Sequence, residues 1–122
     1  MQDSKSLASI PLRPANMAPP APDYPWPRPF RSAMFLSFDV DAESAWTAKD
    51  ALHAERLVTM SYGGYEARVG TPKLLELLRQ LDLRATFFIT GWSVEAHPAM
   101  AESILAAGHD IGHHGYHHLT PY

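Results

Sequence analysis

The chain has 122 residues, 46% of them apolar, and 13 acidic against 10 basic side chains give it a net charge of −3. That length admits one domain with a modest core and excludes a complete (β/α)8 barrel, which takes about 250 residues. The charge excludes a nucleic-acid binder that works by bulk positive potential. The lack of cysteine excludes disulfides and thiolate-bound zinc, and no apolar run approaches the ~18 residues of a membrane-spanning helix.

Eight of the eleven prolines lie between Pro11 and Pro29. Each removes a backbone donor and fixes φ, so residues 1–31 read as a flexible, disordered Pro-rich tail. Pro11, Arg13 and Pro14 interrupt any apolar signal region, so no export signal is read and a cytoplasmic location is expected. Residues 33–38 (AMFLSF) form a short apolar run between polar flanks, the pattern of a buried strand. Residues 39–69 make a long connection ending in the Gly-rich SYGGYEARVG, with a helical turn admitted at 48–57. Connections of that length in compact domains are often functional.

Thr71 and Pro72 are suited to the N-cap and first position of a helix. Leu74, Leu75, Leu77, Leu78 and Leu81 give that helix one wide apolar face. Residues 85–89 (ATFFI) read as a second buried strand, ended by Gly91. His97-Pro98 opens a second helix with Met100, Ile104, Leu105 and Ala107 on its apolar side and Gly108 at its C-terminal cap. Residues 109–112 (HDIG) form a third strand. Strands alternating with helices predict an α/β fold with a parallel sheet. The strands' C-terminal ends then share one side, where sites form in such folds. DVDAE leaves the first strand there, and HHGYHH leaves the third.

Strand alternation places Asp39 and Asp41 on one face with Val40 opposite. Two carboxylates at the mouth of a sheet can divide labour, one binding a metal and the other acting as base. For a lone pair of aspartates the commoner reading is a helix cap or a solvated loop. Glu43 is read as a supporting or solvent-facing group. Five of the seven histidines lie between His109 and His118, and four of them, His113, His114, His117 and His118, fall within six residues, too dense a cluster to be packing alone. Imidazoles at i and i+4 on one turn, or in a loop, can reach a common divalent ion. Zinc is the expected ion, since imidazole and carboxylate suit it, and one Asp plus two His meets the usual three-ligand count of a catalytic site. Spacing leaves the register open among His113/His117, His114/His118 and His109/His113. Trp92, Tyr116 and Trp46 are candidates to line a substrate groove, and Tyr62-Gly63-Gly64-Tyr65 to form a mobile lid or a turn. There is no phosphate-binding glycine loop and no GxSxG nucleophile elbow.

LSFDVDAE, ATFFITG and AGHDIGHHGYHH, in that order, resemble the polysaccharide deacetylase (NodB-homology) family over about residues 25–122. The resemblance implies metal-dependent hydrolases of non-peptide amide bonds on an irregular (β/α) barrel. SFDVD stands where the family usually has TFDDG, a form similar to the branch with peptidoglycan-deacetylase-like proteins and cyclic imide or allantoin hydrolases. By the resemblance, Asp39 matches the catalytic base, and Asp41, His114 and His118 match the metal ligands. Gly115 replaces a usual Ser or Thr, and His113 and His117 become neighbours.

The resemblance further implies that residues 32–122 are a partial domain, about three β/α units, and that the family's late Arg, Asp and His motifs would follow residue 122. Two expectations follow. The first is a zinc-dependent amide hydrolase, incomplete in this chain, whose substrate is a small amide, a cyclic imide or an N-acetyl sugar, with no nucleic-acid or membrane partner. The second is a truncated, non-catalytic metal-binding module that needs self-association or a missing C-terminal half.

Overall fold

The computed structural model describes residues 28–120, and the expectation of a Pro-rich tail falls mostly on residues outside that range. Contacts group the chain from Met34 onward into one unit. In order, that unit contains β1 (Ser37–Val40), α1 (Ser44–Thr47), a 3-10 turn (Ala51–Glu55), α2 (Leu57–Tyr65), a π-helical turn (Glu66–Gly70) and α3 (Thr71–Gln80). It continues with β2 (Thr86–Ile89), α4 (Gly91–Ala96), α5 (Pro98–Ala106) and β3 (Asp110–His113). The three strands form one parallel sheet in the order β1-β2-β3. Its register aligns Val40 with Ile89 and Ile89 with His113.

One face of the sheet makes the core. Val40, Phe87 and Ile89 are buried there, with Leu78 from α3 and Met100, Ala101 and Ile104 from α5. Phe87 is fully buried, its ring 5.4 Å from both Phe38 and His109. The other face carries Ser37, Asp39, Thr86, Phe88 and Gly112, none of them buried. The Phe88 ring occupies the space that a β-carbon on Gly112 would need.

Several boundaries differ from the sequence reading. The first strand starts at Ser37, because its β2 partner is only four residues long and pairing begins where Thr86 N–H donates to Leu36 O at 3.0 Å. Met34 and Phe35, read as strand, stand exposed. Residues 57–80 run as one helical path, so Gly63 and Gly64 lie inside a helix and form neither lid nor turn. Thr71 is accordingly no N-cap: the residue before it is helical, and Thr71 N–H reaches five residues back to Glu66 O. Pro72 would clash with the carbonyl four residues behind it in a regular helix, and the wider π turn just upstream relieves that. The apolar face of α3 is narrower than its leucines suggest. Leu78 is buried and Leu74 and Leu75 pack on the core, while Leu77 and Leu81 are exposed.

The segment after Ile89 holds a short helix, α4, that the sequence reading passed over. Thr90 caps it by accepting from Ser93 N–H. The α5 boundaries agree with expectation. Its end is a Schellman motif, with Gly108 at φ +81° and bonds from Gly108 N–H to Leu105 O and His109 N–H to Ile104 O.

Candidate metal centre

All three strands deliver their C-terminal ends to one side, and β1 and β3 supply the polar clusters. Asp41 follows β1 directly, and His114 follows β3. His114 N–H donates to Ile89 O at 3.1 Å. Gly115 then takes φ +77°, which turns the chain back. The carbonyls of Gly115 and Tyr116 accept the Gly91 and Trp92 N–H groups at 2.9 Å each. These are N–H groups of the first turn of α4, which have no partner inside their own helix. The histidine segment is therefore docked by backbone bonds, and His114 and His118 meet in a loop, not on a helical turn.

Asp41 Oδ1 lies 3.4 Å from His114 Nε2, and Asp41 Oδ2 lies 3.6 Å from His118 Nε2. The two imidazole rings are 5.1 Å apart. One ligand atom from each of Asp41, His114 and His118 falls within 4.8 Å of the others. Asp41 Oδ1 and His114 Nε2 are buried, and neither has a hydrogen-bond partner among the described residues. Buried polar atoms without partners are rare and costly, so two of them facing each other call for a third group between them. Two donors bound tetrahedrally to one zinc at 2.0–2.2 Å sit about 3.3–3.6 Å apart. The donor set and its spacing fit such an ion.

The other candidate histidines turn elsewhere. His113 is exposed, and its Nδ1 accepts from Gly115 N–H at 3.3 Å. His117 packs between Trp92 and Tyr116. His109 is buried against Phe87, where its Nδ1 accepts from Ala85 N–H. Asp39 stands exposed on the open face, two residues before Asp41, with no side-chain hydrogen bond or ion pair among the described residues. A cleft of about 540 Å³ lies along the loop, lined by His114, His117 and His118. A second, mostly apolar cleft of about 420 Å³ beside it is walled by Trp92, Met60 and Leu119. Of the expected groove aromatics only Trp92 lies there. Trp46 packs against His53 and Lys49, and Tyr116 donates its hydroxyl to Glu95 at 2.8 Å, which raises its pKa.

Behind Asp41, His114 and His118 lies a layer of which the sequence reading named only Glu43. Glu43 is 7% exposed and far from solvent-facing. Its Oε2 is 2.6 Å from His97 Nε2, and its Oε1 is 4.0 Å from Arg68. Glu66 Oε2 accepts from Asp41 N–H at 3.0 Å and from Ala42 N–H at 2.6 Å. Burial pushes the Glu66 carboxyl above its ordinary pKa, the two N–H groups pull it down, and the neighbouring Asp41 and Glu43 charges push it up again. Ser44, Thr90 and Ser93, all fully buried, form a hydroxyl network beneath the Asp41 carbonyl. Reading residues 39–69 as a loop hid Glu66. The Thr90-x-x-Ser93 spacing of a helix cap was the signal available for the other half of this layer.

Residues 34–121 match the family model for polysaccharide deacetylase. The chain belongs to the polysaccharide deacetylase family. It is 35% identical over 83 residues to a peptidoglycan deacetylase of Helicobacter pylori, a match covering 68% of this chain and 28% of that protein. It is also 35% identical over 65 residues to a peptidoglycan-N-acetylglucosamine deacetylase of Bacillus cereus, covering 53% of this chain and 30% of the relative. A crystal structure from Mycobacterium smegmatis, assigned to the polysaccharide deacetylases, superposes with a TM-score of 0.63 at 42% identity, covering 65% of this chain and 28% of that one. The chain thus spans under a third of the length of these relatives. Polysaccharide and peptidoglycan deacetylases are hydrolases of carbon–nitrogen bonds other than peptide bonds.

Proposed function

We propose that this chain carries the metal-binding and base-bearing portion of a metal-dependent deacetylase acting on N-acetylated sugars. The observation that carries the proposal is the pair of buried, unpartnered ligand atoms, Asp41 Oδ1 and His114 Nε2, facing each other at 3.4 Å. The peptidoglycan deacetylase relatives support the reaction class and favour an N-acetyl sugar over a cyclic imide. The parallel β1-β2-β3 sheet, with one face free of buried side chains, suits the first three β/α units of a barrel.

In this reading Asp41, His114 and His118 hold a divalent ion, zinc by its taste for imidazole and carboxylate. The ion would supply Lewis acidity at the acetamide carbonyl and lower the pKa of water. Asp39, a carboxylate with no competing partner among the described residues, accepts the proton of the attacking water. Trp92 and the apolar cleft beside His117 offer a flat surface to the sugar ring.

The test is zinc content and acetate release from N-acetylglucosamine oligomers for the wild type, Asp39→Asn, Asp41→Ala and His114→Ala. Zinc is expected to be lost from the last two and kept in Asp39→Asn, which loses only turnover. Zinc content unchanged in both Asp41→Ala and His114→Ala would overturn the site. A second reading is a metal-binding module without turnover, since Asp41, His114 and His118 come together as a donor set that does not include the exposed Asp39. Stoichiometric zinc with no acetate released from any oligomer would select it.

A further inference from the structure

Asp41 Oδ1 is buried with no hydrogen-bond partner among the described residues, yet the Asp41 main chain is held from both sides. Its N–H donates to Glu66 Oε2, and so does the next N–H, that of Ala42. Two successive N–H groups converging on one anionic oxygen make a small backbone anion site. Ala42 adopts φ +48°, a left-handed conformation that is strained for an L-residue and persists only where surroundings impose it. On the other side, Asp41 O accepts from Ser44 N–H at 3.0 Å, Ser44 Oγ at 2.6 Å and Ser93 Oγ at 2.6 Å. Thr90 Oγ1 sits 2.7 Å from Ser93 Oγ and 3.0 Å from Ser44 Oγ. A hydroxyl has one proton, so Thr90 donates to one serine at a time and orients the pair.

These holding groups come from three places: the turn after β1, the π turn after α2, and α4 with its cap. A regular turn needs only local bonds. A carboxylate brought from 25 residues downstream and a hydroxyl from 52 downstream do something local bonds cannot. They fix where Asp41 Cα sits relative to the sheet, and therefore relative to His114, whose own N–H is tied to β2. Pinned main chain and free carboxylate are what a preorganised ligand needs.

We propose that Glu66 is a positioning residue for the metal-ligating aspartate, clamping the Asp41 main chain against the Ser44–Thr90–Ser93 hydroxyls. The proposal rests on the metal-site reading above. Glu66 touches no ligand atom and acts through Asp41 alone. Its carboxylate works as an acceptor of two N–H groups, so an amide oxygen of the same reach serves nearly as well.

The experiment titrates the 122-residue chain with Co²⁺ and Zn²⁺, following affinity by calorimetry and ligand geometry by the Co²⁺ visible spectrum. The variants are Glu66→Ala, Glu66→Gln, Ser93→Ala, Asp41→Ala and Leu78→Ala. Glu66→Ala is expected to weaken metal binding about 10–100-fold, the usual effect of losing a group that orients a ligand, and to shift the Co²⁺ bands. Ser93→Ala weakens it less, and Glu66→Gln stays within about threefold of wild type. Leu78→Ala lowers stability through the core and leaves affinity unchanged while the chain is folded. The clamp is overturned if Glu66→Ala and Ser93→Ala both bind as wild type does, or if Glu66→Gln loses as much as Glu66→Ala. If wild type and Asp41→Ala bind metal alike, the metal site itself has failed and the clamp with it. Should Glu66→Ala not fold, Glu66→Gln with Ser93→Ala decides the matter by the same criteria.

Discussion

Two glycines on one helical path should respond to alanine in opposite directions. A β-carbon on Gly63 would stand 2.7 Å from Glu43 Cα, 2.9 Å from Glu43 N and 3.0 Å from Ala42 O. All three are backbone atoms of the segment that follows Asp41, so no side chain can swing aside. Alanine gains about 1 kcal/mol in helix propensity, but forcing backbone apart costs about 1–3 kcal/mol. The expected net effect is a loss of up to about 2 kcal/mol. On Gly70 the nearest atom to an added β-carbon is 3.8 Å away, and φ is already −63°. There only the propensity gain remains, about 0.5–1 kcal/mol. Urea unfolding followed by circular dichroism reads both, and in a domain this size 1 kcal/mol shifts the melting temperature by about 4–8 °C. A Gly63→Ala variant that is stabilised as Gly70→Ala is would refute the close approach of α2 to the Ala42–Glu43 backbone.

Three further outcomes are expected. Phe87→Ala empties the centre of the core and should cost about 3–5 kcal/mol, read by the same unfolding assay; a loss under about 1 kcal/mol would place the core elsewhere. Zinc at 100 times its Kd should stabilise the wild type by about 2.7 kcal/mol, an increment that chelator reverses and Asp41→Ala abolishes; equal shifts in both proteins would locate binding outside this cluster. On the exposed side of α3, Arg79 holds the Glu76 carboxyl down to about 2 through paired hydrogen bonds at 2.8 Å, with Gln80 assisting. A depressed acid contributes stability above its unfolded pKa of 4.5 and loses it as pH falls through about 2. Carboxyl NMR should show that midpoint near 2, returning toward 4.5 in Arg79→Ala.

Much of the fold was legible because it rests on local chemistry. Alternation of apolar runs with helical spacing is enough for a three-stranded parallel sheet, and Pro98 and Gly108 mark the ends of α5 by their own backbone preferences. The long connection was misread for an equally local reason. Two adjacent glycines argue against helix by propensity, but burial of Gly63 against the Ala42–Glu43 backbone outweighs propensity, and that contact joins residues some twenty apart. Residue spacing alone also left three histidine pairings open, and the family resemblance pointed to His114 and His118. In the structure those two face Asp41, because Gly115 reverses the chain and the first turn of α4 binds the carbonyls beyond it.

The sequence by itself determined which residue types could carry the chemistry, the strands they follow and the side of the sheet they share. Composition, periodicity and motif order are properties of neighbours along the chain, and they suffice for that. Only the tertiary structure decided which imidazoles converge on Asp41, that its Oδ1 is buried with no hydrogen-bond partner among the described residues, and that Glu66 and Ser93 hold its main chain from 25 and 52 residues away. Those are matters of distance between segments far apart in sequence, and such distances exist only once the chain has folded.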